Sequence, residues 1–381
     1  MRILVINDLV SGGGTENVMQ LLLSHLSSDI DNQIELFTTI GQKEAFQKLD
    51  LKNIRYSHGF SQELGRQKRF SVPWFFYRLL YAFEGFPLVF KRFDLVLVLK
   101  EGPTMIMGTK MRAKKKIAWV QVDYSLLHWT KNCFESLKQE VNCMQQYDHV
   151  VCVSQAAKDA VCSVIGDPGN LIVKLNPMNV QQIFQKSELK NIELEDYLQA
   201  RTKNRPILVS MGRLAEEKGY FRLFDCCEKL NREFDYELWV LGDGPLKQQL
   251  EEQRIAQKLD NVVMWGNQEN PYPFIKKADW MVSASFGESY GLAVQESILL
   301  GVPALVTTCP AFEECLSSRE AILVPNTEEA LYEGLYGLLS HYEQYRQQYS
   351  QAVKREEKIQ QMYGDRIKEI EKLWKKNESE Q

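Results

Sequence analysis

The sequence lacks the CxxC pairs, long apolar runs and N-terminal leader pattern that are typical of zinc-binding, membrane-spanning and secreted proteins. Its eight cysteines stand singly or as the adjacent pair Cys226-Cys227, so we interpret them as reduced core thiols rather than zinc ligands. No stretch reaches the roughly 20 apolar residues that a membrane-spanning helix needs, which leaves only peripheral contact with a bilayer. The opening MRILVIND has the pattern of a strand and not that of a signal peptide. These absences predict a cytoplasmic protein.

The length and composition of the chain predict two globular domains. Its 381 residues exceed what one hydrophobic core usually organises, and 44% hydrophobic with 25% charged residues is close to the globular average. Apolar strand segments alternate with helical segments in both halves, which favours parallel sheets covered on both faces. The predicted fold class is therefore α/β, with two Rossmann-like doubly wound domains that face a deep interdomain cleft. The predicted strands are ILVIND near the start, residues 34–39, 94–99, 116–122 and 149–154, and the segments PILVSMG, YELWVLGDG, NVVMWG, DWMVSAS, VPALVTT and AILVP.

A polar stretch from Asn176 to Pro206 separates the two series of strands. It shows no sustained strand pattern, and we place the domain linker inside it. The first domain is then predicted at residues 1–180 and the second at residues 181–352. A final charged helix near residues 353–377 is compatible both with packing on the first domain and with a solvated position.

Two glutamates separated by seven residues mark the segment ASFGESYGLAVQESILLGVPAL. Glu288 precedes a predicted strand-to-helix junction and Glu296 follows it. Free backbone N–H groups at the start of a helix can meet sugar hydroxyls or a phosphate. By itself, this spacing is also compatible with two glutamates on an ordinary amphipathic helix. The candidate donor-binding residues of this segment are Glu288, Ser289, Tyr290, Gly291, Leu292 and Glu296.

Two cations follow the first strand of the second half, PILVSMG. Arg213 and Lys218 lie just beyond its carboxyl end, the edge at which open α/β sheets bind ligands. Cations at that edge can neutralise a diphosphate as negative charge develops on a leaving nucleotide. Each of the two, taken singly, is also typical of a surface charge.

A glycine run follows the first strand of the first half. Gly12, Gly13 and Gly14 would let the backbone approach a phosphate closely, and a helix opens directly after them. A run of glycines is weak evidence alone, but its place after the first strand is informative.

The glutamate pair, the cation pair and the glycine run together resemble the family 4 retaining glycosyltransferases of the GT-B fold. The resemblance extends from the glycine run to about residue 325 and is most specific between Ser210 and Leu305. It implies that Glu288 binds the donor sugar, that Glu296 binds the ribose, and that the cations and the glycine run meet the diphosphate. The backbone around Trp265 is implied to lie near the nucleotide base, while its ring is typical of a buried core residue.

The resemblance also implies the reaction. A hexose or N-acetylhexosamine would move from a nucleotide sugar, for which we favour UDP, to a glycan or lipid-linked acceptor in cell-surface polysaccharide synthesis. The transfer would retain the anomeric configuration and would use neither a metal nor another cofactor.

One position departs from the family pattern. Gln121 stands where the family often has the histidine of a His-x-Asp pattern, whereas Asp123 is retained as a candidate for orienting the acceptor hydroxyl. His128 is near in sequence, but a lone histidine in an aromatic segment is more typical of a structural residue. A non-catalytic partner subunit with this fold, or another nucleotide-sugar enzyme such as an epimerase, therefore stays an alternative. The predicted catalytic residues are Asp123, Arg213, Lys218 and Glu288.

A basic aromatic segment spans residues 65–116, with twelve lysines or arginines against three acidic residues. Its run RQKRFSVPWFFYRLLYAFEGFPLVFKRF interleaves cations with large aromatic side chains, which suits contact with an anionic membrane surface. We predict that the first domain docks on the cytoplasmic face of the cell membrane. Aromatic core residues beneath a basic surface are the alternative. No nucleic-acid-binding motif accompanies the segment, so no nucleic-acid partner is expected.

Overall fold

A computed structural model describes most of the chain as two compact units. The first unit comprises Met1–Met178 and the residues from Gly364 onward, and the second comprises Asn179–Tyr363. The division between Met178 and Asn179 falls inside the stretch that we interpreted as the linker. The described residues are 1–10, 13–49, 51, 53–60, 86–201, 205–350 and 356–375.

Seven parallel strands form the sheet of the first unit: β1 (Arg2–Asn7), β2 (Gln33–Ile40), β3 (Ile54–Phe60), β4 (Arg92–Val98), β5 (Arg112–Val120), β6 (His149–Cys152) and β7 (Leu171–Val173). Their spatial order is β3-β2-β1-β4-β5-β6-β7. The central strands are buried almost throughout, as their continuous apolar runs predict for a sheet covered on both faces. The described helices of this unit are α1 (Gly14–Ser27), α2 (Lys43–Gln47), α3 (Phe86–Val89), α4 (Pro103–Lys110), α5 (Leu137–Met144) and α6 (Gln155–Ile165).

The second unit repeats this plan with six parallel strands: β8 (Ile207–Met211), β9 (Glu237–Leu241), β10 (Val262–Gly266), β11 (Trp280–Ser283), β12 (Ala304–Thr307) and β13 (Ala321–Val324). Their spatial order is β10-β9-β8-β11-β12-β13. The remaining helices are α7 (Val180–Ser187), α8 (Ile192–Ala200), α9 (Tyr220–Leu230), α10 (Lys247–Ala256), α11 (Tyr272–Lys277), α12 (Leu292–Leu299), α13 (Pro310–Cys315), α14 (Glu328–Ser340), α15 (Tyr342–Ser350) and α16 (Glu356–Glu371).

Each sheet has one point at which the order of its strands reverses. The reversal lies between β1 and β4 in the first unit and between β8 and β11 in the second. Open α/β sheets bind their ligands beside this point, outside the carboxyl ends of the strands. The prediction of two doubly wound α/β units is confirmed, and the two reversal points are the places where a site is expected.

The last turns of α16 lie on the first unit. His25 Nε2 is 3.0 Å from Glu371 Oε1, and Arg366 donates to the carbonyl oxygen of Asn176 at 3.2 Å. The side chain of Ile370 is buried. The described helix is shorter than the predicted residues 353–377, and its end packs on the first unit instead of standing in solvent.

The cysteines are all free thiols, and six of the eight are buried. Burial raises the pKa of Cys143 and of Cys152 to about 12, so neither thiol is ionised at neutral pH. This agrees with the interpretation of the cysteines as core residues. Within the described ranges, no helix combines the length and the apolar character that crossing a bilayer requires.

Candidate functional site

The carboxyl edge of the second sheet brings together two predicted residues that are 70 positions apart in the sequence. Lys218 ends a short 3-10 turn, Glu216–Lys218, in the connection from β8 to α9. Glu288 lies in the connection from β11 to α12. Lys218 Nζ is 2.6 Å from Glu288 Oε1, beside the point where the strand order reverses. A cation and a carboxylate thus meet at the edge where the fold places a ligand.

Hydrogen bonds from two hydroxyl groups hold the loop that carries the Glu288 carboxylate. Ser285 Oγ donates to Glu288 Oε1 at 2.8 Å, and Thr307 Oγ1 donates to the carbonyl oxygen of Ser285 at 2.6 Å. The side chain of Glu288 is 14% exposed and that of Lys218 is 23% exposed, so water screens the pair only in part. The two charged groups are therefore fixed in position and still reachable from solvent.

Arg213 forms an ion pair with Glu217, a residue that we did not identify from the sequence. Its guanidinium lies 2.8 Å from Glu217 Oε1, and the arginine side chain is 60% exposed. Although burial opposes it, the hydrogen bond from Arg213 keeps the pKa of Glu217 below its usual value. Arg213 follows the same strand as Lys218, but its described ion pair is with Glu217 rather than with Glu288. The structure therefore joins Lys218 to Glu288 and leaves Arg213 beside them.

Two glycines let the connections of this edge pack backbone against backbone. Gly219 has φ of +65°, and a Cβ atom there would lie 2.0 Å from the carbonyl oxygen of Ala284. Gly242 has φ of +141°, and its Cβ would lie 1.9 Å from the carbonyl oxygen of Gly212. Any larger residue would force these connections apart. The short spacing between Lys218 and Glu288 therefore depends on the glycine that follows the lysine.

The second glutamate of the pair is buried. Glu296 lies in α12, and its described hydrogen bond comes from the hydroxyl of Tyr272 at 3.3 Å. Burial raises the pKa of Glu296 to about 7, although Tyr272 and the charge of Lys186 act in the opposite direction. The helix begins after Gly291, whose φ of +71° turns the chain out of the preceding loop. Ser289, Tyr290, Gly291 and Leu292 thus lie between the two glutamates, at the N-terminus of α12.

Trp265 is only partly buried, so its ring is not the fully buried core residue that we interpreted, although it packs against other aromatic rings. The ring centroid lies 4.8 Å from that of Phe274 and 5.0 Å from that of Tyr197. The backbone of this segment belongs to the same edge as the cations, because the Gly242 N–H donates to the carbonyl oxygen of Gly266 at 2.7 Å. The ring packs in the unit while the main chain borders the candidate site.

In the first unit, the glycine run stands at the start of α1, as predicted. Gly13 caps the helix in an extended conformation, and Gly14 is its first residue. A Cβ on Gly13 would lie 3.1 Å from the Glu16 carboxylate. Gly12 lies outside the described residues.

Asp123 caps a turn directly after β5. Its Oδ1 atom accepts a hydrogen bond from the Ser125 N–H at 2.9 Å, and its carbonyl oxygen accepts the Leu127 N–H at 2.9 Å. The carboxylate is buried. Asp123 Oδ1 therefore stabilises the turn. Its Oδ2 atom is the one that could accept a hydrogen bond from an acceptor hydroxyl.

Two buried glutamates that the sequence interpretation missed hold the segment from Gln121 to Asn132. Glu101 accepts hydrogen bonds from the Gln121 N–H and from Trp129 Nε1, both at 2.9 Å. Glu140 accepts the hydroxyl of Tyr124 at 2.9 Å and lies 2.8 Å from His128 Nε2. The structural interpretation of His128 agrees with this network. No periodic pattern marks Glu101 or Glu140, although Glu101 stands at the carboxyl end of β4, where polar residues are informative.

The described ranges contain no group of three histidine, cysteine, aspartate or glutamate side chains arranged to hold a metal ion. The chemistry offered by the carboxyl edge of the second sheet is that of Lys218, Arg213, two glutamates and the N–H groups at the start of α12. Cations and N–H groups bind phosphate, and carboxylates accept hydrogen bonds from sugar hydroxyls. The arrangement suits a ligand that carries both.

Comparison with known proteins supports the same chemistry. Residues 195–355 match the family model described as "Glycosyl transferases group 1", which covers most of the second unit. The chain is 30% identical over 171 residues to an uncharacterised glycosyltransferase, MJ1059, of Methanocaldococcus jannaschii, across 42% of this chain and 40% of that protein. It is 27% identical over 146 residues to the GDP-mannose-dependent alpha-(1-6)-phosphatidylinositol dimannoside mannosyltransferase of Mycobacterium tuberculosis, across 38% of each chain. The chain thus spans about two fifths of the length of these curated relatives.

A solved structure resembles the whole chain. The crystal structure of Alr3699/HepE from Anabaena, in complex with UDP-glucose, superposes with a TM-score of 0.72, over 97% of this chain and 100% of that one. The two sequences are 17% identical, so this similarity shows the fold alone.

Proposed function

We propose that the chain is a family 4 glycosyltransferase of the GT-B fold, a retaining enzyme that transfers a sugar from a nucleotide-sugar donor without a metal ion. The observation that carries the proposal is the contact of Lys218 with Glu288 at the reversal point of the second sheet. A nucleotide sugar presents a diphosphate next to hydroxyl groups, and this pair offers a cation next to a carboxylate. A scaffold protein would have no physical need for that combination.

Each residue at this edge has a proposed role. Lys218, with Arg213 beside it, stabilises the negative charge that develops on the departing nucleotide. Glu288 accepts hydrogen bonds from the donor sugar, and Glu296 accepts those of the ribose hydroxyls. The N–H groups of Ser289 to Leu292, at the start of α12, add partial positive charge. In the first unit, the backbone at Gly13 and Gly14 faces phosphate and Asp123 orients the acceptor hydroxyl.

We favour UDP as the nucleotide, a hexose or N-acetylhexosamine as the sugar, and a glycan or lipid-linked acceptor in cell-surface polysaccharide synthesis. The Anabaena structure holds UDP-glucose, whereas the name of the mycobacterial relative specifies GDP-mannose. A calorimetric titration with UDP and with GDP, in the presence of a chelator, tests the proposal. We expect micromolar binding of UDP and at least about tenfold weaker binding of GDP, a gap of about 1.4 kcal/mol.

The same titration distinguishes the alternatives. A partner subunit that keeps this fold without its chemistry is favoured only by Gln121, which replaces the family's histidine. Failure of both nucleotides to bind would support that alternative and contradict a transferase. Tighter binding of GDP than of UDP would leave the transferase proposal standing and reverse the choice of nucleotide.

We also propose that the first unit docks on the anionic inner face of the cell membrane. The described part of the basic aromatic segment lies where β4 and β5 begin, and there Arg92 is the register partner of Arg112. Neighbouring cations repel one another unless an anion lies between them. Phe90, two residues before β4, is 63% exposed. Ten further cations and aromatic residues of the predicted segment lie outside the described residues: Arg66, Lys68, Arg69, Trp74, Phe75, Phe76, Tyr77, Arg78, Tyr81 and Phe83.

Vesicle co-sedimentation tests this docking. We expect the protein to pellet with vesicles that contain phosphatidylglycerol and to stay in solution with neutral vesicles, because the attraction is electrostatic. Changing Arg92, Arg112 and Lys115 together to glutamine should weaken the binding, by about 1 kcal/mol for each cation. The matched control changes Lys229 and Arg254, two surface cations of the second unit, to glutamine. Equal sedimentation of the triple variant and the wild type would exclude these cations as the docking surface.

A further inference from the structure

Arg222 is a buried cation at the carboxyl edge of the second sheet, in α9, four residues after Lys218. Its Nε and Nη2 atoms donate to the carbonyl oxygen of Ala284 at 2.9 and 2.6 Å. Nη2 also donates to Asn326 Oδ1 at 2.7 Å, and the guanidinium lies 4.0 Å from the ring centre of Phe286. In the described part of the chain, no carboxylate lies within ion-pair distance of this guanidinium.

Burying the Arg222 guanidinium costs free energy. A buried cation whose hydrogen bonds go only to neutral acceptors has lost its hydration, and the more distant charge of Glu328 compensates this loss only in part. Burial accordingly lowers the pKa of Arg222. The acceptors come from the connections that follow β11 and β13, so one side chain fixes two loops that hydrogen bonds of the sheet do not hold.

The contacts of Arg222 lead directly to the glutamate of the site. Ala284 precedes Ser285, whose hydroxyl donates to Glu288 Oε1 at 2.8 Å. Arg222 Nη2 also donates to Thr307 Oγ1 at 3.3 Å, and Thr307 in turn donates to the carbonyl oxygen of Ser285. On the other side, the Ala284 carbonyl rests against the α-carbon of Gly219, next to Lys218. Arg222 therefore fixes the loop that carries Glu288 against the loop that carries Lys218.

We propose that Arg222 is a positioning residue of the donor site, which holds the Ala284 carbonyl so that Glu288 stays opposite Lys218 and is presented to the donor sugar. The inference rests on the proposed function, because it takes Glu288 as the sugar contact. Arg222 itself touches no substrate. Its effect is on the sugar half of the donor, while the nucleotide half is bound by other groups.

Arg222→Lys tests the inference, because a lysine keeps the charge but cannot reach the Ala284 carbonyl and Asn326 together. Calorimetric titrations with UDP and with UDP-glucose separate the two halves of the donor. We expect the affinity for UDP to change less than about twofold, and the affinity for UDP-glucose to fall about tenfold or more, as the loss of a charged hydrogen bond implies. Arg254→Lys is the matched control, since Arg254 is an arginine of the same unit that pairs with Glu251 on the surface of α10.

Two results would overturn the inference: unchanged affinity for both ligands, or an equal loss for both, which would indicate a general structural role. If the wild type binds no nucleotide, the proposed function fails, and a crystal structure of Arg222→Lys then decides the inference. The expected structure has Glu288 displaced from Lys218, whereas an unchanged contact contradicts the role. Should Arg222→Lys not fold, Thr307→Val can be tested instead. This change removes the hydrogen bond from Thr307 to the Ser285 carbonyl oxygen, and it is expected to lower the affinity for UDP-glucose more than the affinity for UDP.

Chemical rescue separates positioning from fold stability. Arg222→Ala leaves a space shaped for a guanidinium, so millimolar guanidinium in solution is expected to restore part of the UDP-glucose affinity. Methylammonium, which carries the charge without the planar fork, is expected to restore less. Equal rescue by the two cations would contradict a role that depends on the geometry of Arg222.

Discussion

Replacing Lys218 with alanine is expected to lower the rate of donor turnover by about a hundredfold to a thousandfold, the cost of losing one fixed group that stabilises developing charge. The change has a second effect, because Glu288 loses the cation 2.6 Å away and keeps its negative charge at a site meant for phosphate. Repulsion between Glu288 and the donor phosphates then adds to the loss of attraction by Lys218. Turnover is measured as UDP release from the donor, and the affinity for UDP by calorimetry.

The double variant Lys218→Ala with Glu288→Gln separates these two effects. If the repulsion is real, the double variant recovers part of the UDP affinity that the single variant loses, while turnover stays low because both groups act on the donor. Lys229→Ala is the matched control, since Lys229 forms an ion pair of similar length with Glu328 on the surface of the same unit. A Lys218→Ala variant with the turnover of the wild type would remove Lys218 from the site.

The fold could be predicted from the sequence because buried strands have a recognisable apolar pattern. Strands covered on both faces are apolar along their length, so β1, β4 and β8 could be recognised as continuous runs, whereas only the apolar second half of β5 was predicted. The strands that escaped prediction, β3 and β7, lie at the two edges of the first sheet. An edge strand meets solvent, and β3 carries Arg55, Ser57 and His58 for that reason. The polar stretch in which we placed the linker was given no secondary structure, and it forms α7 and α8.

The site was predicted only in part. Lys218 could be named from its place after a strand, and Glu288 from the resemblance of its segment to the family's paired-glutamate motif. Glu101 follows β4 and offered the same signal as Lys218, whereas Glu140 and Arg222 lie inside helices and could not be named in this way. Their roles come from contacts with backbone groups and with side chains distant in sequence, as with Arg222 and Asn326, which are 104 positions apart. A buried charge inside a helix leaves no periodic signal, and only three-dimensional packing shows what it holds.

The pH dependence of nucleotide binding is expected to follow the ionisation of Glu296. Its pKa of about 7 in the folded chain lies above the ordinary value of 4.5 because the carboxyl is buried. A ribose hydroxyl donates its hydrogen bond to the ionised form, so binding favours loss of the proton. The affinity for UDP is therefore expected to rise between pH 6 and pH 8 by about tenfold, close to the limit that one linked proton allows over this range.

The same pKa has an opposite effect on the stability of the free protein. Because the folded chain binds this proton more tightly than the unfolded chain, the stabilisation is complete below pH 4.5 and is lost as the pH rises to about 7. The loss amounts to about 3 kcal/mol at one pKa unit per 1.4 kcal/mol. Thermal unfolding measured from pH 5 to pH 8 should show this decline in the wild type, and Glu296→Gln should remove it.

Glu296→Gln also isolates the contribution of this carboxyl to binding, since the phosphates of UDP titrate in the same range and give the variant a residual pH dependence. The difference between wild type and variant is therefore the quantity to measure. Glu252→Gln, a change on the surface of α10, is expected to leave both profiles unchanged. Identical binding profiles for the wild type and Glu296→Gln would mean that Glu296 does not contact the ribose. The decline in stability would then reflect only the burial of the carboxyl group.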